Sequence, residues 1–490
     1  MQLDPAAGEP LFLQISRAIT NDIQRGRLRP GARLPGTRSL AQALAVHRNT
    51  VISAYAELIS EGWIETSPAR ATFIARSLPT SRPRAFTRNA PALHGRPAGP
   101  GYDLRGAGSR VHANMPSDTL VMNGGIPDVR LAPVTELSRA YGRALRQDSR
   151  TVLSYGDPYG HPRLRAALAA MLTASRGLAT GPDDVLVTGG SQMALNLVGR
   201  ALVAPGDVVA VEALGYGYAC EAFRQYGARL APIPVDEHGL RVDMLEQLVE
   251  RTPIRAIHIT PHHQYPTMVT MSAARRVALL ALAQRKRFAI IEDDYDHEFH
   301  YEGRPVLPLA SADRAAVVVY IGTLSKILAP GVRLGYVVAP KVLLERLASQ
   351  RVYVDRHGDQ AVELAVAHLL EDGTVQRSAR RARRIYHARR DLLAHELRRT
   401  MAGVLSFDLP SGGMAIWTKV SPQIDADAWA ARALERKVAI RTARSFALDA
   451  RSRPYVRLGF AALDERELTV AVKRLNDALE SMGRPQRRAR

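Results

Sequence analysis

Apolar positions along the chain follow one period near the N-terminus and another after residue 120. In "LFLQISRAITNDIQR", residues 11–25, Leu11, Ile15, Ile19 and Ile23 recur at helical spacing and predict an amphipathic helix. "GRLRPGARLP" interrupts it with Gly26, Pro30, Gly31 and Pro35. A second helix is expected from Thr37, as its cap, with Leu40, Ala41 and Leu44 inward. After the short turn "AVHRN", a third carries Val51, Ala54, Tyr55 and Leu58 inward and stops at Gly62. "WIETSPARATFIA" then alternates about a Ser-Pro turn, as a β-hairpin does. Two short helices on a tight turn, followed by a hairpin, predict a winged helix-turn-helix over residues 1–78.

Residues 79–115 show little period and are dominated by Pro, Gly and Arg, which reads as an extended linker. From about Asn123 short apolar runs alternate with helical stretches, the pattern of a doubly wound α/β domain over 116–490.

Three loops of that region follow predicted strands and carry distinctive chemistry. "VLVTGGSQMALNL" reads as strand, Gly189–Gly190 turn and helix from about Gln192. Amides at such a helix start, with Ser191, suit a phosphate. "FAIIEDDYDHEF" runs a strand into acids, with Asp293 and Tyr295 two apart and so pointing the same way. An aspartate there can hold a pyridine nitrogen protonated, and the tyrosine can bond the ring's phenolic oxygen. "VVVYIGTLSK" ends a buried strand, Val317 to Ile321, at Lys326, with Thr323, Ser325 and then Arg333 near it. A buried lysine loses its charge readily and becomes a nucleophile towards carbonyls. Hydroxyls and a guanidinium suit a phosphate. Amine, carboxylate and cradle together point to pyridoxal phosphate, joined to Lys326 as a Schiff base.

Composition adds a partner. The chain of 490 residues has a formal net charge of +20. Residues 1–115 hold 15 Arg, no Lys and 7 acidic residues. Guanidinium is the better bidentate partner of phosphates and guanine edges, which suits a polyanion, and the helix-turn-helix makes double-stranded DNA the expected one. The second helix of the helix-turn-helix would enter the major groove with His47, Arg48, Asn49 and Thr50 leading. Cys220 is the only cysteine, which excludes an internal disulfide and a cysteine-based metal site. His258, His262 and His263 lie close in sequence, but without cysteines or an HExxH pattern no metal is expected. Neither a long apolar span nor a signal pattern occurs, and a cytoplasmic location without membrane contact is expected. The seven arginines of "RSARRARRIYHARR", residues 377–390, read as the solvated face of a long helix.

The motifs carry a resemblance. "PLFLQISRAI", "GRLRPGARLPGTRSLA" and "VHRNTVISAYAELISEGWI" resemble the GntR winged-helix domain. By that likeness Arg38, Arg48, Asn49 and Thr50 are DNA contacts. The family's wing-tip glycines are replaced here by "SPARAT", which suggests Arg70 as a minor-groove reader. "LVTGGSQMALNLV", "TPHHQYPT", "EDDYDHEFHYEGRPVLPL", "YIGTLSKILAPGVRLGY" and "YVRLGFA" resemble a fold-type I pyridoxal-phosphate aminotransferase, with a large doubly wound domain and a small α+β subdomain. The combination is similar to a MocR/GabR-type regulator. The resemblance implies that Tyr216 stacks on the pyridine ring, that His263 and Gln264 meet the cofactor oxygen, and that Arg457 pairs with a ligand carboxylate. It also implies a homodimer. Met268 stands where that family usually has glycine, which would narrow the ligand site.

The expected function is a DNA-binding transcription regulator whose aminotransferase-like domain senses an amino compound or pyridoxal phosphate itself. A working aminotransferase with a fused DNA-binding module is the alternative, because the catalytic set is complete in sequence.

Overall fold

The first apolar period closes into three helices, α1 (Leu11–Gln24), α2 (Thr37–Leu44) and α3 (Arg48–Ser60). Their inward residues Ile15, Ile19, Val51, Ala54 and Leu58 share one core with Trp63 and Ile74. Two buried hydroxyls lock the arrangement: Ser16 donates to the Ala54 carbonyl at 3.0 Å and Tyr55 to the Pro35 carbonyl at 2.7 Å. The tight turn passes through Ala45, which takes a left-handed φ of 52°. Thr37 is the first residue of α2 rather than its cap. Gly36 holds the cap position in an extended conformation, and the Thr37 hydroxyl faces Arg48 instead. The wing forms as expected from β1 (Ile64–Thr66) and β2 (Thr72–Ile74), antiparallel with Glu65 opposite Phe73.

The computed structural model describes residues 3–4, 9–67, 71–79, 102, 116, 118–303 and 306–483. Arg70 at the wing tip, and nearly all of the linker expected at 79–115, lie outside the described residues. The chain divides into two compact units, Met1–Arg110 and Val111–Arg490.

The second unit is built on a seven-stranded sheet. Its strands are β3 (Val185–Thr188), β4 (Val208–Glu212), β5 (Arg229–Ile233), β6 (Ala256–Ile259), β7 (Ala289–Asp294), β8 (Val318–Thr323) and β9 (Gly335–Val338). Across the sheet the order is β3-β9-β8-β7-β6-β4-β5. β9 alone runs antiparallel to its neighbours, and the other pairs are parallel. The central strands are buried along their length, which is why their residues are near-continuously apolar rather than alternating. Helices cover both faces, packing Leu195, Val198 and Phe223 on one and Leu245, Leu279 and Leu282 on the other.

A smaller sheet of four strands forms near the C-terminus and includes β10 (Ala415–Val420), β11 (Arg441–Thr442) and β12 (Tyr455–Gly459). It packs with the helices Thr374–Thr400 and Glu465–Glu480 around Trp429 and Phe460. Arg377, Arg380, Arg381, Arg383 and Arg384 are exposed on the first of these helices, as expected. Arg389 and Arg390 correct that reading, because both are buried. Arg389 bonds Asp128 at 3.0 Å and the Ala461 carbonyl at 2.8 Å, while Arg390 pairs with Glu302 at 2.7 Å. They are structural ties between segments far apart in sequence.

Leu58→Ala removes a fully buried side chain from the first unit's core. It is expected to destabilise that unit by about 2–5 kcal/mol. Calorimetry should show the transition of the first unit lowered and that of the second unmoved; equal shifts of both would contradict the division into two units.

Candidate functional site

The exposed end of the helix-turn-helix gathers the predicted DNA-contacting side chains that the structure describes. Arg38 lies in the first turn of α2, and His47, Arg48 and Asn49 open α3; all four are exposed and Thr50 is half-buried. His47 caps α3, its ring nitrogen Nδ1 accepting from the Asn49 amide at 3.2 Å. The ion pairs of this unit join Arg17 to Glu9 and Arg27 to Asp22. Arg38 and Arg48 have no carboxylate partner among the described residues. Two unpaired guanidiniums beside a helix N-terminus form a face suited to phosphates and base edges.

In the second unit the C-terminal ends of the central strands open into a cavity of about 290 Å³. Ser191, Gln192, Tyr216, Asp293, Tyr295, Thr323, Ser325, Lys326 and Arg333 all line it. The anion cradle is the start of the helix Ser191–Leu202, after β3. Gly190 turns there at φ 94°, and Arg333 donates to the Gly189 carbonyl at 2.7 Å. Gly335 at the start of β9 lies against this turn. A Cβ on it would sit 2.7 Å from the Gly190 carbonyl carbon and 2.9 Å from the Ser191 nitrogen. Thr323 accepts from the Ser325 amide at 3.1 Å, which holds the two hydroxyls at the cradle.

Lys326 reaches the cavity from the loop after β8. Its amine makes no hydrogen bond or ion pair to any described residue, and burial pushes it below the ordinary lysine value. Asp293, near the end of β7, is buried, and its Oδ1 has no hydrogen-bond partner. His258 of β6 stands 3.6 Å behind its other oxygen. Tyr295 donates to the His263 carbonyl at 3.0 Å, so towards the cavity it offers an acceptor. Burial pushes its phenol well up, as it does that of Tyr216. An unpaired amine, an orphaned carboxylate oxygen and an anion cradle in one cavity fit pyridoxal phosphate.

Two expectations about the loop after β6 are corrected. The His263 ring turns away from the cavity onto Asp296, 2.8 Å distant. Gln264 spends its amide on the Leu214 and Tyr265 carbonyls and its oxygen on Thr267. Tyr265 is the residue of this loop that lines the cavity. Its ring lies edge-on to Tyr216 and Tyr295, and Arg457 stacks over it at 4.5 Å. Thr260, Arg441 and the segment Asn123–Gly125 also line the cavity and were not anticipated. Tyr265 was within reach of the motif "HQYPT", one residue on from Gln264. Arg441 carries no local signal; pairing of β11 with β12 places it opposite Arg457.

Arg457 is fully buried, yet pairs with no carboxylate among the described residues. Its guanidinium bonds the Pro266 carbonyl at 3.2 Å, and Gly124, which lines the cavity, lies against its tip. Met268 is buried with its sulfur 3.8 Å from Nη2 of Arg457. It holds φ at 65°, the left-handed region that explains why a glycine is usual there. Its side chain takes up space beside the guanidinium.

Lysine and aspartate at the ends of the adjacent strands β8 and β7, with the anion cradle after β3, share one cavity that fits pyridoxal phosphate, here in a chain that begins with a winged helix. Residues 121–475 match the aminotransferase class I and II family, and residues 11–74 match the bacterial regulatory proteins of the gntR family. Over 98% of its length the chain is 32% identical to 97% of the probable rhizopine catabolism regulatory protein MocR of Rhizobium meliloti. It is 30% identical to the HTH-type transcriptional regulator TauR of Rhodobacter capsulatus, covering 97% of this chain and 98% of that one. LysN, the alpha-aminoadipate aminotransferase of Thermus thermophilus solved with N-(5'-phosphopyridoxyl)-L-leucine, covers 75% of this chain and 93% of its own at 30% identity and a TM-score of 0.70. The chain belongs to the MocR-type transcription regulators, a gntR-family winged helix fused to an aminotransferase class I and II domain whose cofactor is pyridoxal phosphate.

Gly335→Ala should dislodge the cradle, because backbone meets the new Cβ and cannot give way; overpacking of this kind costs about 1–3 kcal/mol. The variant is expected to lose cofactor absorbance on dialysis with its far-UV spectrum unchanged; wild-type retention would exclude the cradle. Arg48→Ala should weaken specific operator binding by about 1–3 kcal/mol, the worth of one bidentate base contact. Anisotropy titration reads it, and unchanged affinity would remove Arg48 from the interface.

Proposed function

We propose that the aminotransferase-like unit senses a small amino compound bearing a carboxylate, and that the winged helix converts its occupancy into a change in transcription. The observation that carries this is Arg457: a fully buried guanidinium beside the cofactor cavity with no carboxylate partner among the described residues. A buried unpaired charge is costly, and a ligand carboxylate would relieve it with charge-assisted hydrogen bonds. Pyridoxal phosphate supplies an aldehyde that condenses with primary amines and a ring that withdraws electrons. Lys326 and Asp293 are the residues that would hold its reactive carbon and its ring nitrogen. Ser191, Gln192, Thr323, Ser325 and Arg333 would hold its phosphate, and Tyr216 would cover its ring.

Ligand arrival changes the partners of Lys326 and Arg457. A ligand shifts the protein between states only by the difference of its contacts in each. The working unit in this reading is a cytoplasmic homodimer, since two winged helices can read paired half-sites. Leu153, Tyr155 and Tyr353, exposed at 74%, 75% and 84%, support an interface between copies. No helix among the described residues is long and apolar enough to cross a membrane.

Lys326→Ala and Arg457→Ala test the sensing in a reporter assay with an amino-acid effector. Both should bind operator as wild type does. Lys326→Ala should lose the response for want of the amine; borohydride should fix pyridoxyl to Lys326 of the wild type and to no residue of the variant. Arg457→Ala should lose about 1.5–3 kcal/mol of effector affinity, the worth of hydrogen bonds to a charged group. A normal response from Lys326→Ala would sink this reading in favour of a sensor of free pyridoxal phosphate.

A further inference from the structure

Behind the cofactor cavity four histidines meet that neither DNA binding nor the cofactor uses. His262 and His263 come from the loop after β6, and His297 and His300 from the segment after β7. One ring nitrogen from each of His262, His263 and His300 lies within 4.8 Å of the others. The His262 and His263 rings are 4.3 Å apart, and His297 stacks on His262 at 4.6 Å. Both nitrogens of His262, Nε2 of His263 and Nδ1 of His300 are buried without a hydrogen-bond partner. His262 is 3% exposed and His263 1%. Buried polar atoms are nearly always paired, and each exception calls for a reason.

The orientation of His263 supplies one. Its Nδ1 is held by Asp296 at 2.8 Å, and that pair is buried on both sides. A carboxylate behind an imidazole is the usual support of a metal-binding histidine, because it sets the ring and leaves the other nitrogen to the ion. Gly412 lies close to this nitrogen, where a side chain would collide with it: a Cβ there would fall 2.2 Å from Nε2 of His263. A cavity of about 210 Å³, lined in part by His297, His300 and Arg176, opens beside the cluster and offers an entry path. Its wall includes Arg380 and Arg383, and the acids Asp294, Asp296 and Glu298 offset them from within.

We propose that His262, His263 and His300 bind a divalent transition-metal ion of the zinc class, with Asp296 as a positioning residue on His263. Imidazole ligands suit zinc, cobalt, nickel or copper and not magnesium or calcium. Around an ion with bonds of about 2.0–2.1 Å, tetrahedrally placed nitrogens lie about 3.3 Å apart. Rotation of the imidazoles closes the remaining distance. The ion ties the loop after β6 to the segment after β7. The same loop carries Tyr265 in the cofactor cavity wall, and its His263 carbonyl receives the Tyr295 hydroxyl. Metal occupancy therefore stiffens one wall of the effector pocket, a second input to the regulator.

The test uses untagged full-length protein, stripped with EDTA and titrated with Zn²⁺ by calorimetry. One ion per chain is expected, with a nitrogen-only first shell at about 2.0–2.1 Å in X-ray absorption. His262→Ala and His300→Ala should each weaken binding by about tenfold or more, and Asp296→Asn by about 10–100-fold. Far-UV and cofactor spectra report whether each variant is folded. His300 is the least buried of the three, so its variant serves if His262→Ala does not fold. Absence of stoichiometric uptake by the wild type would overturn the proposal. So would a sulfur in the first shell, or wild-type affinity in a folded His300→Ala.

Discussion

The second unit depends on one contact of backbone against backbone, between Gly335 and the Gly190–Ser191 turn. β9 is the one antiparallel strand of the large sheet, and it enters between β3 and β8. It can lie so close to the helix start only because residue 335 has no side chain. That closeness brings Arg333, two residues before it, onto the Gly189 carbonyl, and sets the loop carrying Lys326 over the helix N-terminus. The anion cradle and the amine are thus two consequences of a single packing constraint.

The charges of the site are arranged for a guest. Among the described residues neither the buried Arg457 nor the half-buried Lys326 has a carboxylate partner, and Asp293 keeps an oxygen unbonded. Three other buried arginines are paired with acids: Arg389 with Asp128, Arg390 with Glu302, Arg176 with Glu298. Groups left unpaired in the native state couple stability to occupancy, since a ligand that binds only the folded protein stabilises it. A sensor needs that coupling, because the response can be no larger than the difference in binding free energy between its states.

Met268 shows how a single replacement alters such a site. The backbone keeps the left-handed turn that a glycine would adopt without strain. The side chain then fills space next to the Arg457 guanidinium. The turn is held by the loop's hydrogen bonds, among them Met268 to the Gln264 carbonyl at 2.7 Å.

Local chemistry was legible in the sequence. Period and turn residues determined the helices of the winged helix, and the order of strand-end motifs determined Lys326, Asp293 and the Ser191 cradle, because each lies within a few residues of the strand that positions it. What the sequence could not decide was which way a side chain turns within a loop, and which distant segments meet. His263 and Tyr265 are two residues apart, yet one faces Asp296 and the other the cavity. Arg441 reaches the site through pairing of short strands, and His300 joins His262 through the ends of neighbouring strands. Arg389 and Arg390 look like the five exposed arginines before them, and only the acids across from them in the fold bury them. Such choices belong to the tertiary structure because burial, and the partner that makes burial tolerable, come from residues tens or hundreds of positions away.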